Sequence, residues 1–355
     1  MAELKEVEYI EYNKADANKG VWGQLKRVAL AQNGEEVGVH DADNTNLWED
    51  GSEVDWAEYE SNGWNCMVRI PRVWYKVEEG EYKGFNKVRR WEVSGKEAVG
   101  FKLHPAFKRP NHESNVQYMS AFEGWVDGSG RLRSLPNKTV TVSKTIAAFR
   151  SDALKNGAVG YTQQDFFLTS LIQLLIITEY GTLNTQGVLG NGGENKPTGQ
   201  SLTNGNHSTD ADTVDYMSYR GIENFYSNKY KWVDGVNVMD RKWNVTGDFS
   251  KYSSTSGSPT GYEFYATAPS SDGNIRNVHL LDGDKDFSFI PSQTGGSSNA
   301  DGFCDYYYQN TGHRVVRFGY VSAGAAAGAF CWSANREPSN VNSDLGARLQ
   351  FLGHS

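Results

Sequence analysis

The stretch from Phe166 to Ile177 constrains this chain more than any other. Placed on a helix, Phe166, Phe167, Leu168, Leu171, Ile172, Leu174, Leu175, Ile176 and Ile177 leave almost no polar side, with Thr169, Ser170 and Gln173 the interruptions. A helix that is apolar all round must be enclosed by protein, so this one is read as a core pillar. Thr162-Gln163-Gln164-Asp165 ahead of it matches a capping box, and Gly181 supplies a stop. The run is far short of eighteen uninterrupted apolar residues, and no other window approaches that length, so no membrane span is expected. A chain of 355 residues is long enough to build the enclosure, in about two domains.

A second helix, amphipathic, is predicted over about Thr145 to Asn156. There Ile146, Phe149, Ala153 and Leu154 fall at helical spacing and Gly157 stands as the stop. Around the helices the pattern is that of strands. Val7 to Tyr12 alternates as a half-buried strand does, and residues 1 to 60, with a run of acids from Asp41 to Asp55, read as a small β-rich N-terminal module or attachment arm. Cys66, Val68 and Ile70 share a face, but beyond Pro71 the apolar residues are Val73, Tyr75 and Val77, a one-residue slip that calls for a bulge or an edge. Phe101 to Pro105 and Val116 to Ser120 continue as short strands, and Tyr230 to Val238 reads as a strand pair closing on an Asp234-Gly235 turn. The expected class is α+β: two helices on a mixed, mostly antiparallel sheet, with long loops such as the polar stretch from Leu189 to Ala211.

Several functions find little support in the composition. A formal charge of −8, with Lys and Arg scattered among acids, gives no basic patch for nucleic acid. Cys66, Cys304 and Cys331 are odd in number, far apart and without a CxxC, and the seven histidines show no HxH or HxxxH spacing. They suit buried reduced thiols and no metal centre. Leu189-Gly-Asn-Gly-Gly-Glu-Asn195 lacks the ending and the following helix of a phosphate loop. Asp282, Asp284 and Asp286 begin like a calcium loop, but Phe287 and Gly295 stand where an EF-hand needs Gly and Glu, leaving a solvated turn or a looser calcium site. The start, MAELKEVEYIEYN, has neither a basic n-region nor an apolar h-region, so synthesis in the cytoplasm without a signal peptide is expected.

The carboxyl end is the candidate functional region. From His313 to Ser355, apolar runs at Val315-Val316 with Phe318, and at Leu345 with Leu349 and Phe351, bracket a middle of Gly, Ala, Ser and Asn set with Tyr320, Phe330 and Trp332. Ser and Asn give adaptable hydrogen bonding and aromatic side chains give rigid contact area, which is how binding loops on fixed scaffolds are made. A tight crossing of small residues without any ligand is the competing reading.

The order RIPRVWYK (Arg69 to Lys76), HPAF (His104 to Phe107), DFFLTSLIQLLIITEYGTLNTQ (Asp165 to Gln186), YRGIENFYSNKYKWVDG (Tyr219 to Gly235), RVVRFG (Arg314 to Gly319) and PSNVNSDLGARL (Pro338 to Leu349) resembles the C-type-lectin-like proteins related to formylglycine-generating enzymes. Within them it is most similar to the variable proteins of diversity-generating retroelements. The resemblance covers residues 61 to 355, as one lectin-like domain with a variable region at about 314 to 349. It implies that a retroelement rewrites adenine-rich codons, so that a stable frame displays a changing ligand-binding face. The positions it implies as ligand-binding are Tyr320, Ser322, Ala323, Ala325, Ala326, Cys331, Trp332, Ser333, Asn335, Arg336, Asn340 and Asn342, with Trp332 and Phe330 also anchoring the segment. Glu337 cannot arise from such a codon, so it is either templated or marks a limit of the resemblance. Gly319, Gly324 and Gly328 are expected at close turns and Arg348 paired beneath, while Phe318-Gly319 replaces the usual Gly-Gly before the variable run.

The function implied is a phage tail receptor-binding protein, or one on a bacterial cell surface. Its partners would be a bacterial surface protein or glycan and other virion or tail subunits, and it would be a homo-oligomer that gains strength from many weak copies. No catalytic residue, metal or cofactor is implied, calcium aside. The alternatives are a formylglycine-generating-type oxidoreductase and a non-diversified cell-surface lectin. The first needs a cysteine pair in the C-terminal block, where Cys331 stands alone with Cys304 the nearest other. A calcium-dependent sugar site would need more than the stretched Glu337-Pro338-Ser339-Asn340, since no Trp-Asn-Asp follows it.

Overall fold

The computed structural model describes residues 6–9, 20–82, 85–201, 216–295, 302–319 and 327–355. Among these the chain is predominantly β with a few helices, so the expected balance of helix and sheet is shifted toward sheet. A six-stranded antiparallel sheet runs in the order Tyr161–Gln163, Leu349–Phe351, Val116–Ser120, Asn65–Pro71, Lys26–Leu30, Glu36–Val39. A larger sheet is centred on Tyr230–Met239, His313–Phe318, Trp332–Arg336 and Tyr306–Gln309. Its pairs are mostly antiparallel, and Tyr306–Gln309 lies parallel to Trp332–Arg336. A third, four-stranded sheet holds Trp74–Tyr82 and Phe85–Ser94.

The pillar helix forms as Phe166–Tyr180, with every residue from Phe166 to Glu179 buried. It touches both the Tyr230–Met239 strand and the Phe85–Ser94 strand, which is how two sheets come to enclose it. Its start differs from the expected capping box. Thr162 lies in the Tyr161–Gln163 strand, and Asp165 is the N-cap, its Oδ1 accepting from Leu168 N–H at 2.8 Å. The other Asp165 oxygen accepts from Arg109 at 2.9 Å, Tyr252 at 2.6 Å and Gln350 at 2.8 Å, so tertiary partners choose the cap. The helix stops where Gly181 adopts φ 66°. The amphipathic helix forms as Ile146–Leu154 with Thr145 capping it. Leu154, counted on its apolar face, is 57% exposed.

The slip at Pro71 is a change of sheet. Asn65–Pro71 belongs to the six-stranded sheet, and Trp74 begins a strand of the four-stranded one. The six-stranded sheet is covered on both sides. Ala29, Cys66, Val68 and Met119 face the core around the pillar, while Val28, Met67 and Tyr118 face a second cluster with Ile146, Phe149, Trp232 and Phe351.

Two expectations are corrected. Tyr230–Met239 is one continuous strand paired with His313–Phe318 on both sides of a bulge between Val233 and Asn237, with Gly235 at φ 74° inside it. The hairpin turn comes later, at Asp240-Arg241, both at positive φ, between Met239 and Lys242. Nor is residue 60 a structural boundary, because Lys26–Leu30 pairs with Asn65–Pro71. Trp22 Nε1–H also donates to Leu175 O at 3.0 Å, and Arg27 donates to Ser201 O at 2.7 Å and Gly221 O at 2.8 Å. Residues 20–60 help build the core instead of standing apart as an arm. Among the described residues no helix is long and apolar enough to cross a membrane.

Candidate ligand-binding face at the carboxyl end

The His313–Phe318 and Trp332–Arg336 strands pair antiparallel, Phe318 opposite Trp332 and Arg317 opposite Ser333. The Gly/Ala-rich segment leaves from the end of this pair and returns to it. Tyr320, Ser322, Ala323, Ala325 and Ala326 lie outside the described residues, but both of the segment's roots are defined. At the first root, Gly319 N–H donates to Cys331 O at 3.1 Å. Gly319 has φ 57°, and a Cβ there would lie 2.7 Å from Tyr226 Cβ, so this turn needs glycine.

The second root is bolted to the core by side chains from distant parts of the chain. The buried Asp305 carboxylate accepts from Gly328 N–H at 2.5 Å and from Phe330 N–H at 2.7 Å. Ala329 N–H donates to Thr185 Oγ1 at 3.0 Å, and Gln173, on the pillar helix, donates to Ala329 O at 2.6 Å. Burial pushes the Asp305 carboxyl up to about 7, outweighing the two amide bonds that favour its charged form. The Phe330 ring packs edge-on against Phe289 and Phe303, at centroid distances of 5.1 and 4.8 Å.

Three of the expected ligand-binding residues belong to this frame. Cys331, Trp332 and Ser333 are buried, with no measurable exposure (0%). The Trp332 indole sits among Phe318 at 5.2 Å, Trp243 at 5.7 Å and Phe166 at 5.9 Å, which accounts for its anchoring part and leaves no surface for a ligand. Strand alternation turns Ser333 to the opposite side, where Arg317 covers it. Arg317 lies 3.7 Å over the Tyr230 ring and donates to Ser333 Oγ at 3.1 Å and Asn335 Oδ1 at 3.3 Å. Cys66 and Cys304, like Cys331, are buried, and burial raises the Cys66 thiol to about 12.

Asn335, Arg336 and Asn340 are partly exposed and come together. With Asn310, Arg314, Glu337 and Ser339 they line a polar depression of about 200 Å³. A second depression, of about 630 Å³, shares Arg314, Glu337 and Ser339 and extends past His313 to Ser254 and Thr255. Asn342 is partly exposed but lies outside both linings, its carbonyl accepting from Ser143 N–H at 3.1 Å. Sequence reasoning missed Asp305, Thr185, Gln173 and Asn310. Each acts through a partner far along the chain, and an acid between Cys304 and Tyr306 was the one hint available. Arg348 was expected to be paired, and it is, with backbone. It donates to Ser120 O and Glu223 O, both at 2.7 Å, to Asn224 O at 3.0 Å and to Ala121 O at 3.2 Å.

Fold and face together define a mostly β scaffold in which the residues flanking 320–326 are tied to the core at the Phe318–Trp332 end of a strand pair, with a polar, solvent-open depression at the Arg314–Arg336 end. No family model matches the sequence, and no curated protein does. Among solved structures the chain is similar to the I1, U1 and M1 variants of Major Tropism Determinant, at 12%, 12% and 11% identity. Each alignment covers 79% of this chain and 72% of the other, with a TM-score of 0.33, too low to transfer a fold or a role.

Proposed function

We propose that this is a non-catalytic display protein of C-type-lectin-like fold, whose C-terminal face recognises a bacterial surface protein or glycan from a phage tail. In this reading a retroelement diversifies the face, and copies of the chain act together to raise avidity. The observation that carries it is the anchoring of the residues on both sides of 320–326, Gly319 and Gly328 to Cys331. Among the described residues, Asp305, Thr185 and Gln173 hold the backbone of Gly328 to Phe330, and Gly319 N–H donates to Cys331 O. A segment held this way can change its side chains while its frame stays the same. The motif order from Arg69 to Leu349 supports the same reading.

The test is to exchange Tyr320, Ser322, Ala323, Asn335 and Arg336 together for residues of different size and charge and to measure binding to a panel of bacterial cells. The set of cells bound should change, while the melting temperature moves by no more than about 3 °C, as surface substitutions do. A large loss of stability would sink the display reading. An adenine-rich repeat and a reverse transcriptase gene beside the coding sequence would test diversification. Binding that survives a calcium chelator would separate this reading from a calcium-dependent lectin, and turnover of a cysteine-containing peptide with copper would favour the oxidoreductase instead.

A further inference from the structure

At the edge of the six-stranded sheet lies a groove that the display reading does not use. Val37, Gly38 and Val39 of the sheet-edge strand Glu36–Val39, with Trp48, Trp64, Glu49, Asp50 and Glu58, line a space of about 640 Å³. Its apolar part is the partly exposed faces of two indoles and Val37, which is 44% exposed. The ionisable side chains in the lining are all carboxylates. The surrounding sequence from Asp41 to Glu60 carries eight acids and no Lys, Arg or His.

The floor is closely packed and its lining side chains carry no positive charge, the nearby Arg27 and Arg133 being buried behind it on Thr45, Tyr59 and Trp64. Trp48 lies over Gly38, where a Cβ would come within 2.7 Å of the indole, so glycine is what lets the ring pack down on the strand. Beneath it the buried His40 ring stacks on Trp48 at 4.9 Å, with Nδ1 bonded to Thr45 O at 2.7 Å and Nε2 to Tyr59 Oη at 2.6 Å. Burial holds His40 down to about 4, so it is neutral at physiological pH and does not repel a cation above the indole. At the rim, hydrogen bonds from Ser52 hold the Asp50 carboxyl below its ordinary range. Glu49 pairs with Lys26 at 2.6 Å while staying 61% exposed.

We propose that the groove between Trp48 and Trp64 is a docking site for a basic polypeptide segment of another protein. Its lysine or arginine stems would lie along the indoles and their charges among Glu49, Asp50 and Glu58. Long cationic side chains suit such a place because the stem is apolar, the indole face attracts the cation, and the carboxylates complete the pairing. The charge of the rim favours this over a neutral saccharide, which would also stack on tryptophan.

The experiment titrates the full chain with the peptide acetyl-(Lys-Val)₃-amide, following tryptophan fluorescence and amide hydrogen exchange. Acetyl-(Glu-Val)₃-amide and maltohexaose serve as controls. The lysine peptide should quench fluorescence saturably and slow exchange at Val37 to Val39. The triple variant Glu49→Gln, Asp50→Asn, Glu58→Gln, whose side chains are solvent-facing, should fold normally and bind the peptide about tenfold more weakly, as the loss of several exposed charge pairs predicts. Raising salt from about 50 to about 500 mM should weaken binding to the unmodified chain and affect the triple variant less. No saturable binding of the lysine peptide, equal binding by the triple variant, or binding of maltohexaose in its place would each overturn the proposal.

Discussion

Replacing Asp305 by Asn tests how the Gly328–Phe330 end of the segment 320–326 is held. The buried carboxylate accepts two amide N–H groups, from Gly328 and Phe330. Asparagine keeps one acceptor oxygen and sets an NH₂ group against the other amide, leaving one buried N–H unpaired. A buried donor left unpaired costs about 1–3 kcal/mol, so a loss of about 2 kcal/mol is expected at low pH, where the hydroxyl oxygen of protonated Asp305 still accepts and an NH₂ group cannot.

The pH dependence discriminates further. Burial moves the folded-state carboxyl from an ordinary 3.8 up to about 7. Between these values the folded chain keeps a proton that the unfolded chain has released, so stability from this group is complete below about pH 4 and is lost as pH rises through 7. At about 1.36 kcal/mol per pH unit wild type loses up to about 4 kcal/mol across that interval, whereas Asn at this position does not titrate and contributes no such loss. Urea unfolding followed by tryptophan fluorescence at several pH values from about 4 to 8 should show wild type exceeding D305N most at low pH, with the gap shrinking as pH rises. Glu223, also raised to about 7, and His40, lowered to about 4, titrate in both proteins and cancel in the difference. Amide exchange at Gly328 and Phe330 should be faster in D305N. Parallel stability profiles for the two proteins, or unchanged exchange at those amides, would refute the clamp.

Two further substitutions separate frame from face. Trp332→Ala should cost about 3–5 kcal/mol by opening a cavity among Phe166, Phe318 and Trp243, visible as a lowered urea midpoint, and on the proposed function should weaken binding to every receptor alike. Receptor-selective loss without destabilisation would return Trp332 to the ligand set. Arg348→Met should leave carbonyls of Ser120, Ala121, Glu223 and Asn224 without their buried donor and cost about 3–5 kcal/mol or abolish soluble expression, with Arg348→Lys recovering part of the loss in the same assay.

Much of the framework was legible in the residues alone, because it is written in short-range patterns. The all-apolar run from Phe166, the Thr145 cap, the Gly181 stop and the alternation at Cys66, Val68 and Ile70 each reflect constraints acting within a turn or a pleat. That Val315, Val316, Phe318, Leu345, Leu349 and Phe351 are core follows from their being apolar. Tertiary structure decided what depended on a partner far along the chain. Asp234-Gly235 became a bulge because His313–Phe318 pairs across it, and a sequence window cannot contain that strand. Thr162 lost the cap to Asp165 because Arg109, Tyr252 and Gln350 gather around that carboxylate. Residues 26–39 left the expected N-terminal module because their edge and the Asn65–Pro71 edge satisfy each other's backbone hydrogen bonds. At the candidate face, composition pointed to the segment, but the division of its C-terminal half into buried Cys331, Trp332 and Ser333 and partly exposed Asn335, Arg336 and Asn340 came from tertiary partners, Phe166 of the pillar helix against Trp332 and Arg317 over Ser333. Local periodicity encodes elements, whereas the side each presents to solvent is fixed by whatever packs against the other.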